Sequence, residues 1–266
     1  MLKKHSFNMS QFYSGKRSRN LYEPSARAGF RLSRSKIENF LKCPRCFYLD
    51  RRLGVDQPPG YPFSLNSAVD TLLKKEFDIY RKEQTMHPLL ETYGVDAIPF
   101  QHPKINEWRE TLKGLQYEHE PSGFLVTGAV DDIWQNSAGE LHVVDYKATA
   151  KNGEVTLDAD WQRSYKNQME VYQWILRHQE EGFKVSPIGY FVYVNGKTNR
   201  ETFDDRLEFD AKVIPYEGDD SWVEKALMDA KACLESDKLP SASADCDYCV
   251  YRKAIQDVLE PFQKNE

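Results

Sequence analysis

The sequence predicts an α/β fold, with a central mixed β-sheet flanked by helices and its N- and C-terminal segments clasped by a cysteine metal site. Three observations point that way. A β-rich run, Phe124–Trp134, is followed by a turn at Asn136–Gly139 and a second strand from Leu141 to Lys147, which is a hairpin pattern. On either side of it, residues 66–83 and 160–180 repeat apolar side chains at helical spacing. Two C-x-x-C pairs, Cys43/Cys46 and Cys246/Cys249, stand far apart in the chain.

Taken in order, residues 1–30 show little apolar periodicity and read as a flexible basic arm ahead of a single domain over 31–266. Ser33 or Ser35 can cap a helix that places Ile37, Phe40 and Leu41 on one face. Gln57-Pro-Pro-Gly-Tyr-Pro62 is a loop. The next helix, Asn66 to Glu83, carries a stripe of Val69, Leu72, Leu73, Phe77 and Tyr80. Residues 84–121 are polar, are interrupted by Pro88, Pro99, Pro103 and Pro121, and define no clear element. Beyond the hairpin, the helix over 160–180 puts Trp161, Tyr165, Gln168, Tyr172 and Ile175 on one side. Strands near 188–194 and 201–214, a helix over about 220–235 and a cysteine-bearing tail complete the chain. No internal repeat occurs.

At 266 residues, 40% hydrophobic and 29% charged, the composition is that of a soluble globular protein with one sizeable core. No apolar run is long enough to span a membrane, and no apolar core follows the first basic residues, so a cytoplasmic protein is expected. The net charge is −5, yet it is unevenly placed. Residues 1–52 hold thirteen Lys/Arg against three Asp/Glu, and the remainder twenty-three against thirty-eight. Such a basic front attracts phosphates locally, although a solvated basic tail has the same composition.

The chemistry concentrates in Gly128-Ala-Val-Asp131 and Asp145-Tyr-Lys147. Side chains alternate along a strand, so Asp145 and Lys147 emerge on one face. The hairpin brings Asp131 alongside, and two carboxylates that close repel unless a cation lies between them. Oxygen ligands suit a hard ion such as Mg2+ or Mn2+. Lys147 would stand next to metal-activated water and the attacked phosphate. A solvated hairpin with an Asp–Lys ion pair would share the D-x-K spacing. Val130, Val143 and Val144, however, place these charges at the ends of apolar strands, where they need partners.

Gly-x-x-Asp, a turn and Val-Val-Asp-Tyr-Lys resemble the second and third motifs of the RecB-like PD-(D/E)XK nucleases. That group includes the RecB and AddB nuclease domains and the CRISPR-associated RecB-like exonucleases. Gln168-Met-Glu-Val-Tyr172 is similar to the group's Gln-x-x-x-Tyr motif. Ser33 to Tyr48, with its Cys-Pro-Arg, resembles the opening helix, and the likeness runs from about 32 to 255. It implies a restriction-endonuclease-like core and a metal-dependent DNA nuclease acting on ends or single strands. Repair, recombination or CRISPR adaptation would be the setting, with DNA and a helicase or CRISPR adaptation proteins as partners. The implied site residues are Asp131, Asp145, Lys147, Gln168 and Tyr172. The family's first motif supplies a helix histidine as a further metal ligand, and the matching place here is Asp70. Glu76, which a 100° count puts inside the apolar stripe, is its rival. The aspartate substitution leaves room for a second reading, a weakened DNA-binding or partner-docking module. A site-specific endonuclease would share the chemistry.

The four paired cysteines, Cys43, Cys46, Cys246 and Cys249, can hold zinc or a 4Fe–4S cluster. Some relatives carry such a cluster on one early and three late cysteines. Here the last of those is missing and Cys46 would replace it, so zinc stays an alternative to iron–sulphur. Cys233 reads as a small core residue.

Overall fold

A computed structural model describes residues 15–26, 29–60 and 63–263. Strand β1 (Phe30–Ser33) leads into α1 (Arg34–Lys42) and α2 (Pro44–Arg51). Helices α3 (Ser64–Glu83) and α4 (Pro88–Thr92), strand β2 (Ile98–Pro99), helix α5 (Ile105–Trp108) and strand β3 (Leu115–His119) follow. Then come β4 (Phe124–Gly128), β5 (Asp132–Gln135), β6 (Leu141–Thr149), α6 (Arg163–Arg177), β7 (Ile188–Gly196), β8 (Phe209–Glu217), α7 (Val223–Glu235) and α8 (Asp247–Gln263). No described helix is long and apolar enough to cross a membrane.

The strands form two mixed sheets, in the orders β1-β4-β3 and β2-β5-β6-β7-β8, where the sequence suggested one. The run expected as a single strand over 124–134 is divided between them. At the break, the Val130 amide donates to the Trp108 carbonyl at 3.1 Å and leaves the strand ladder. Apolar content alone cannot show such a break, because both halves feed buried layers.

Strand β6 is central. It pairs antiparallel with β5 and parallel with β7, and α6 forms the crossover between the parallel pair. Both its faces are covered, which explains the unbroken Leu-His-Val-Val run. Leu141 and Val143 pack into the main core with Met169, Tyr172 and Phe191. Val144 and Tyr146 face a second cluster around Phe77, Leu90 and Trp134.

Three expectations are corrected. The stripe on α3 is rotated: Phe77 is buried, whereas Leu72 is 63% exposed. The inward residues Asp70, Lys74, Phe77 and Arg81 recur every three or four positions, because charged partners on the sheet side pair with Lys74 and Arg81. The strand expected over 201–214 is β8, shifted later. Asp204 and Asp205 adopt left-handed backbone, with φ of 46° and 52°, and turn the chain before it. Trp161 precedes α6 on a single 3-10 turn, Asp160–Gln162, and is 61% exposed.

Within the arm expected over 1–30, residues 1–14 and 27–28 lie outside the described residues, as do 61–62 of the Gln57–Pro62 loop. The described part of the arm is fastened down. The Tyr22 amide donates to the Arg51 carbonyl at 2.7 Å, and its ring meets Phe30 edge-on at 5.4 Å.

Candidate active site

The β5–β6 register pairs Asp132 with Val144, so Asp131, one step beyond the strand, stands opposite Asp145. The Tyr146 amide donates to Asp131 Oδ2 at 2.9 Å and fixes that carboxylate at the strand end. Asp145 itself is wholly buried. Among the described residues its one close partner is the Lys147 ammonium, and no backbone amide or other side chain donates to it. Burial pushes its carboxyl up to about 6, with Asp131 adding repulsion and Lys147 opposing both.

Lys147 is held from three sides. Besides Asp145, its ammonium donates to Gln168 Oε1 at 3.4 Å and lies 4.4 Å from the Tyr165 ring centre. Gln168 Nε2 in turn donates to the Tyr172 hydroxyl at 3.1 Å. One turn of α6 therefore carries both residues of the Gln-x-x-x-Tyr pattern onto the same side as the lysine. Gly128 makes this possible, since a Cβ there would come within 2.5 Å of the Tyr172 ring.

Helix α3 closes the other side. Lys74 lies between Asp70 and Asp131, with its ammonium 2.9 Å from the first and 3.1 Å from the second. Burial and repulsion from Asp131 raise the Asp70 pKa despite Lys74. Burial works against the Lys74 ammonium, but the two aspartates outweigh it and raise its pKa. Asn66, Asp70, Asp131, Lys147 and Tyr165 line a cleft of about 260 Å³. The rival ligand Glu76 is not there: it pairs with His87 at 3.0 Å on the outer side of the helix.

The three carboxylates and a hard divalent ion fit one another chemically. The donors are all oxygen, and buried Asp145 has only the Lys147 ammonium to satisfy its two oxygens. The oxygens are not drawn as tightly together as the thiols described next, because Lys74 stands among them.

Sequence reasoning missed Lys74 and the ion cluster under Asp131. There Arg109 Nε donates to the Asp131 carbonyl at 3.0 Å, while its Nη2 donates to buried Asp132 at 3.0 Å. Arg81 and the Tyr146 hydroxyl also bind Asp132, the latter at 2.8 Å. The doublet Asp131-Asp132 was a usable signal, since neighbouring strand residues face opposite ways.

Cys43, Cys46, Cys246 and Cys249 meet with all four sulphurs within 4.8 Å of one another. Sγ–Sγ separations are 3.8 Å for Cys43–Cys249 and 3.6 Å for Cys46–Cys246 and Cys46–Cys249. Burial opposes ionisation of Cys43, but hydrogen bonds from the Ser243 and Cys46 backbone outweigh it and bring the thiol to about 7. Burial raises Cys46 and Cys249. Four such thiolates need a cation among them, and zinc and an iron–sulphur cluster both suit this donor set. Cys233 packs on α7 against the core, its thiol pushed up to about 11 by burial.

Residues 31–254 match the PD-(D/E)XK nuclease superfamily. No curated protein matches the chain. A solved structure titled "Crystal structure of SSO0001" is similar at 16% identity and a TM-score of 0.36, over 84% of each chain. The family match spans most of the chain and includes every residue of the cleft described above, and the chain belongs to the PD-(D/E)XK nuclease superfamily.

Proposed function

We propose that this chain is a RecB-like, divalent-metal-dependent deoxyribonuclease that shortens DNA at ends or along single strands. The observation carrying this reading is Asp145, a fully buried carboxylate whose one close partner among the described residues is the Lys147 ammonium, opposite Asp131. Mg2+ or Mn2+ would be held by Asp131, Asp145 and Asp70, and would supply charge neutralisation at the phosphate and activation of a water. The remaining work falls to the chain. Lys147, oriented by Gln168 and packed on Tyr165, presents its ammonium where charge develops on the attacked phosphate. Tyr172 fixes Gln168. Exposed Trp161, edge-on to Tyr165 at 5.4 Å, offers a stacking face to an unpaired base, which supports single-stranded or frayed substrates.

The cysteine cluster is the second cofactor site of this reading. Four clustered thiols suit the 4Fe–4S cluster that some relatives carry, with structural zinc as the alternative. Absorbance near 400 nm in anaerobically purified protein separates the two. A helicase or CRISPR adaptation protein is the partner this family likeness suggests.

The test is direct. Purified protein with Mn2+ degrades end-labelled DNA progressively, and Lys147→Ala abolishes cleavage while its circular dichroism stays that of the parent. Full activity in Lys147→Ala defeats the mechanism, and discrete cuts on a long duplex would indicate a site-specific endonuclease. Lys74 lying between Asp70 and Asp131 favours a second reading, a DNA-holding platform with a weakened site. Absence of stoichiometric Mn2+ binding in calorimetry would decide for it.

A further inference from the structure

Arg34 is the first residue of α1 and follows β1 without a linker. The parallel register sets Ser33 beside Thr127, so Arg34 leaves the sheet next to Gly128, against which the Tyr172 ring is packed. One turn later on the same helix face, Glu38 accepts a hydrogen bond from Asn167 of α6 at 3.0 Å. Helix α1 thus runs along the turn of α6 that carries Gln168 and Tyr172, with Arg34 at the end nearest the cleft.

The guanidinium makes no hydrogen bond or ion pair among the described residues. Its Nε is buried without a partner, and among the described residues no carboxylate or carbonyl bonds any of its nitrogens. Other buried or half-buried arginines here are bound: Arg51 and Arg17 to Asp50, Arg81 and Arg109 to Asp132. Its charge is felt at the site, where it opposes the burial that raises the pKa of Asp145 and Tyr172. The buried, unpartnered Nε–H costs free energy unless an anion completes it, and phosphate, bound through Nε and a terminal nitrogen, matches the guanidinium bidentately.

We propose that Arg34 is a phosphate-binding residue of this site, gripping a backbone phosphate of the DNA strand beside the bond held between Asp145 and Lys147. The inference rests on the nuclease reading given above. Arg34 holds the strand in place, on the side of the cleft opposite α3, and takes no part in proton transfer. Its anion subsite is separate from the carboxylates, which would repel a phosphate in the absence of metal.

The experiment measures fluorescence anisotropy of a labelled single-stranded oligonucleotide with full-length protein, in Ca2+ in place of Mn2+, over a range of salt. Arg34→Ala is expected to weaken binding about tenfold, the value of one charge-assisted hydrogen-bond pair. The slope of log affinity against log salt should fall by about 0.7, as for one lost phosphate contact. Arg34→Lys should recover the slope but only part of the affinity, because it restores charge without the fork. Should Arg34→Ala lose secondary structure, Arg34→Met, which keeps the stem, carries the comparison. Binding and slope equal to the parent in the folded variant overturn the assignment of Arg34, even if the parent cleaves DNA. A parent that binds in an Arg34-dependent way but never cleaves overturns the catalytic reading alone. A parent that does not bind the oligonucleotide overturns both.

Discussion

At the scale of single residues, the site is a set of charges that the fold places and then leaves incompletely satisfied. Asp132 and Asp145 are both wholly buried, yet they differ in kind. Asp132 is bound by Arg81, Arg109, Tyr146 and the Ile133 amide, so it is closed to anything new. Asp145 has only the Lys147 ammonium against it. That difference has a pH signature. The Asp145 carboxyl titrates at about 6 in the folded protein against an ordinary 3.8. Between these values the folded state holds a proton that the unfolded chain does not. Without metal, its contribution to stability is therefore full below the ordinary value and is lost as pH rises through about 6. The whole change amounts to roughly 3 kcal/mol. Urea unfolding in a chelator between pH 4 and 7 should show this decline, and Asp145→Asn, neutral throughout, should flatten it. Mn2+ has the reverse preference, since it must displace that proton, so the thermal stabilisation it gives should fade below pH about 6. An Asp145→Asn variant with the parent's pH profile would show that another group titrates.

At the scale of elements, β6 and α6 do the positioning, and they were also the most readable parts of the chain. Val143-Val144 ahead of Asp145 announces a strand buried on both faces, and it is found so, although β6 runs past the charged residues to Thr149. Gln168 and Tyr172, four apart on a strongly amphipathic helix, do share the face toward Lys147. Helix α3 was readable in extent but not in rotation. Its inward side is lined by Asp70, Lys74 and Arg81, which an apolar count scores as solvent-facing, and only their partners at Asp131 and Asp132 reveal otherwise. The same blindness put Glu76 among the candidate ligands. The division of 124–134 into two strands of different sheets was hidden because hydrophobicity records burial and not hydrogen-bond partners. Gly128, at that division, packs directly against the Tyr172 ring of α6. An added methyl group would meet the Tyr172 ring at 2.5 Å, and a ring wedged in the core has little room to yield. Gly128→Ala should cost about 1–3 kcal/mol in unfolding free energy and should displace Tyr172 and Gln168. Cleavage would then fall by more than the lost stability explains. Parent-like stability together with parent-like cleavage would mean that α6 moves freely over the sheet and that its register does not govern Lys147.

At the scale of the molecule, two features organise the chain: a charge gradient and a clasp. The basic first fifty-two residues contain α1, α2 and the docked stretch around Tyr22, although Arg17, Lys36 and Arg51 direct their charge to buried Asp50. The acidic remainder supplies the carboxylates. The clasp joins these regions, because Cys46 of α2 meets Cys246 at 3.6 Å across 200 residues of sequence. An ion held by the four thiols would close a loop of that length and remove chain entropy from the unfolded state worth about 5 kcal/mol. A metal bound to four thiolates adds affinity that the unfolded chain cannot match. The cleft, in contrast, draws its groups from residues 66–172, and none of these is in the sulphur cluster. Loss of the clasp should therefore destabilise the molecule without emptying the active site. Cys249→Ser, or prolonged chelation of the parent, should lower the melting temperature by roughly 10–20 °C for a domain of this size. The variant, kept well below its new melting temperature, should still bind Mn2+ at the carboxylates with an affinity near the parent's. Scanning calorimetry and Mn2+ titration on the same samples read the two effects separately. A melting temperature unmoved by Cys249→Ser would show that the four sulphurs carry no stabilising ion. Simultaneous loss of Mn2+ binding would show that the clasp and the cleft form one cooperative unit, with α1, which bears Arg34, as the element between them.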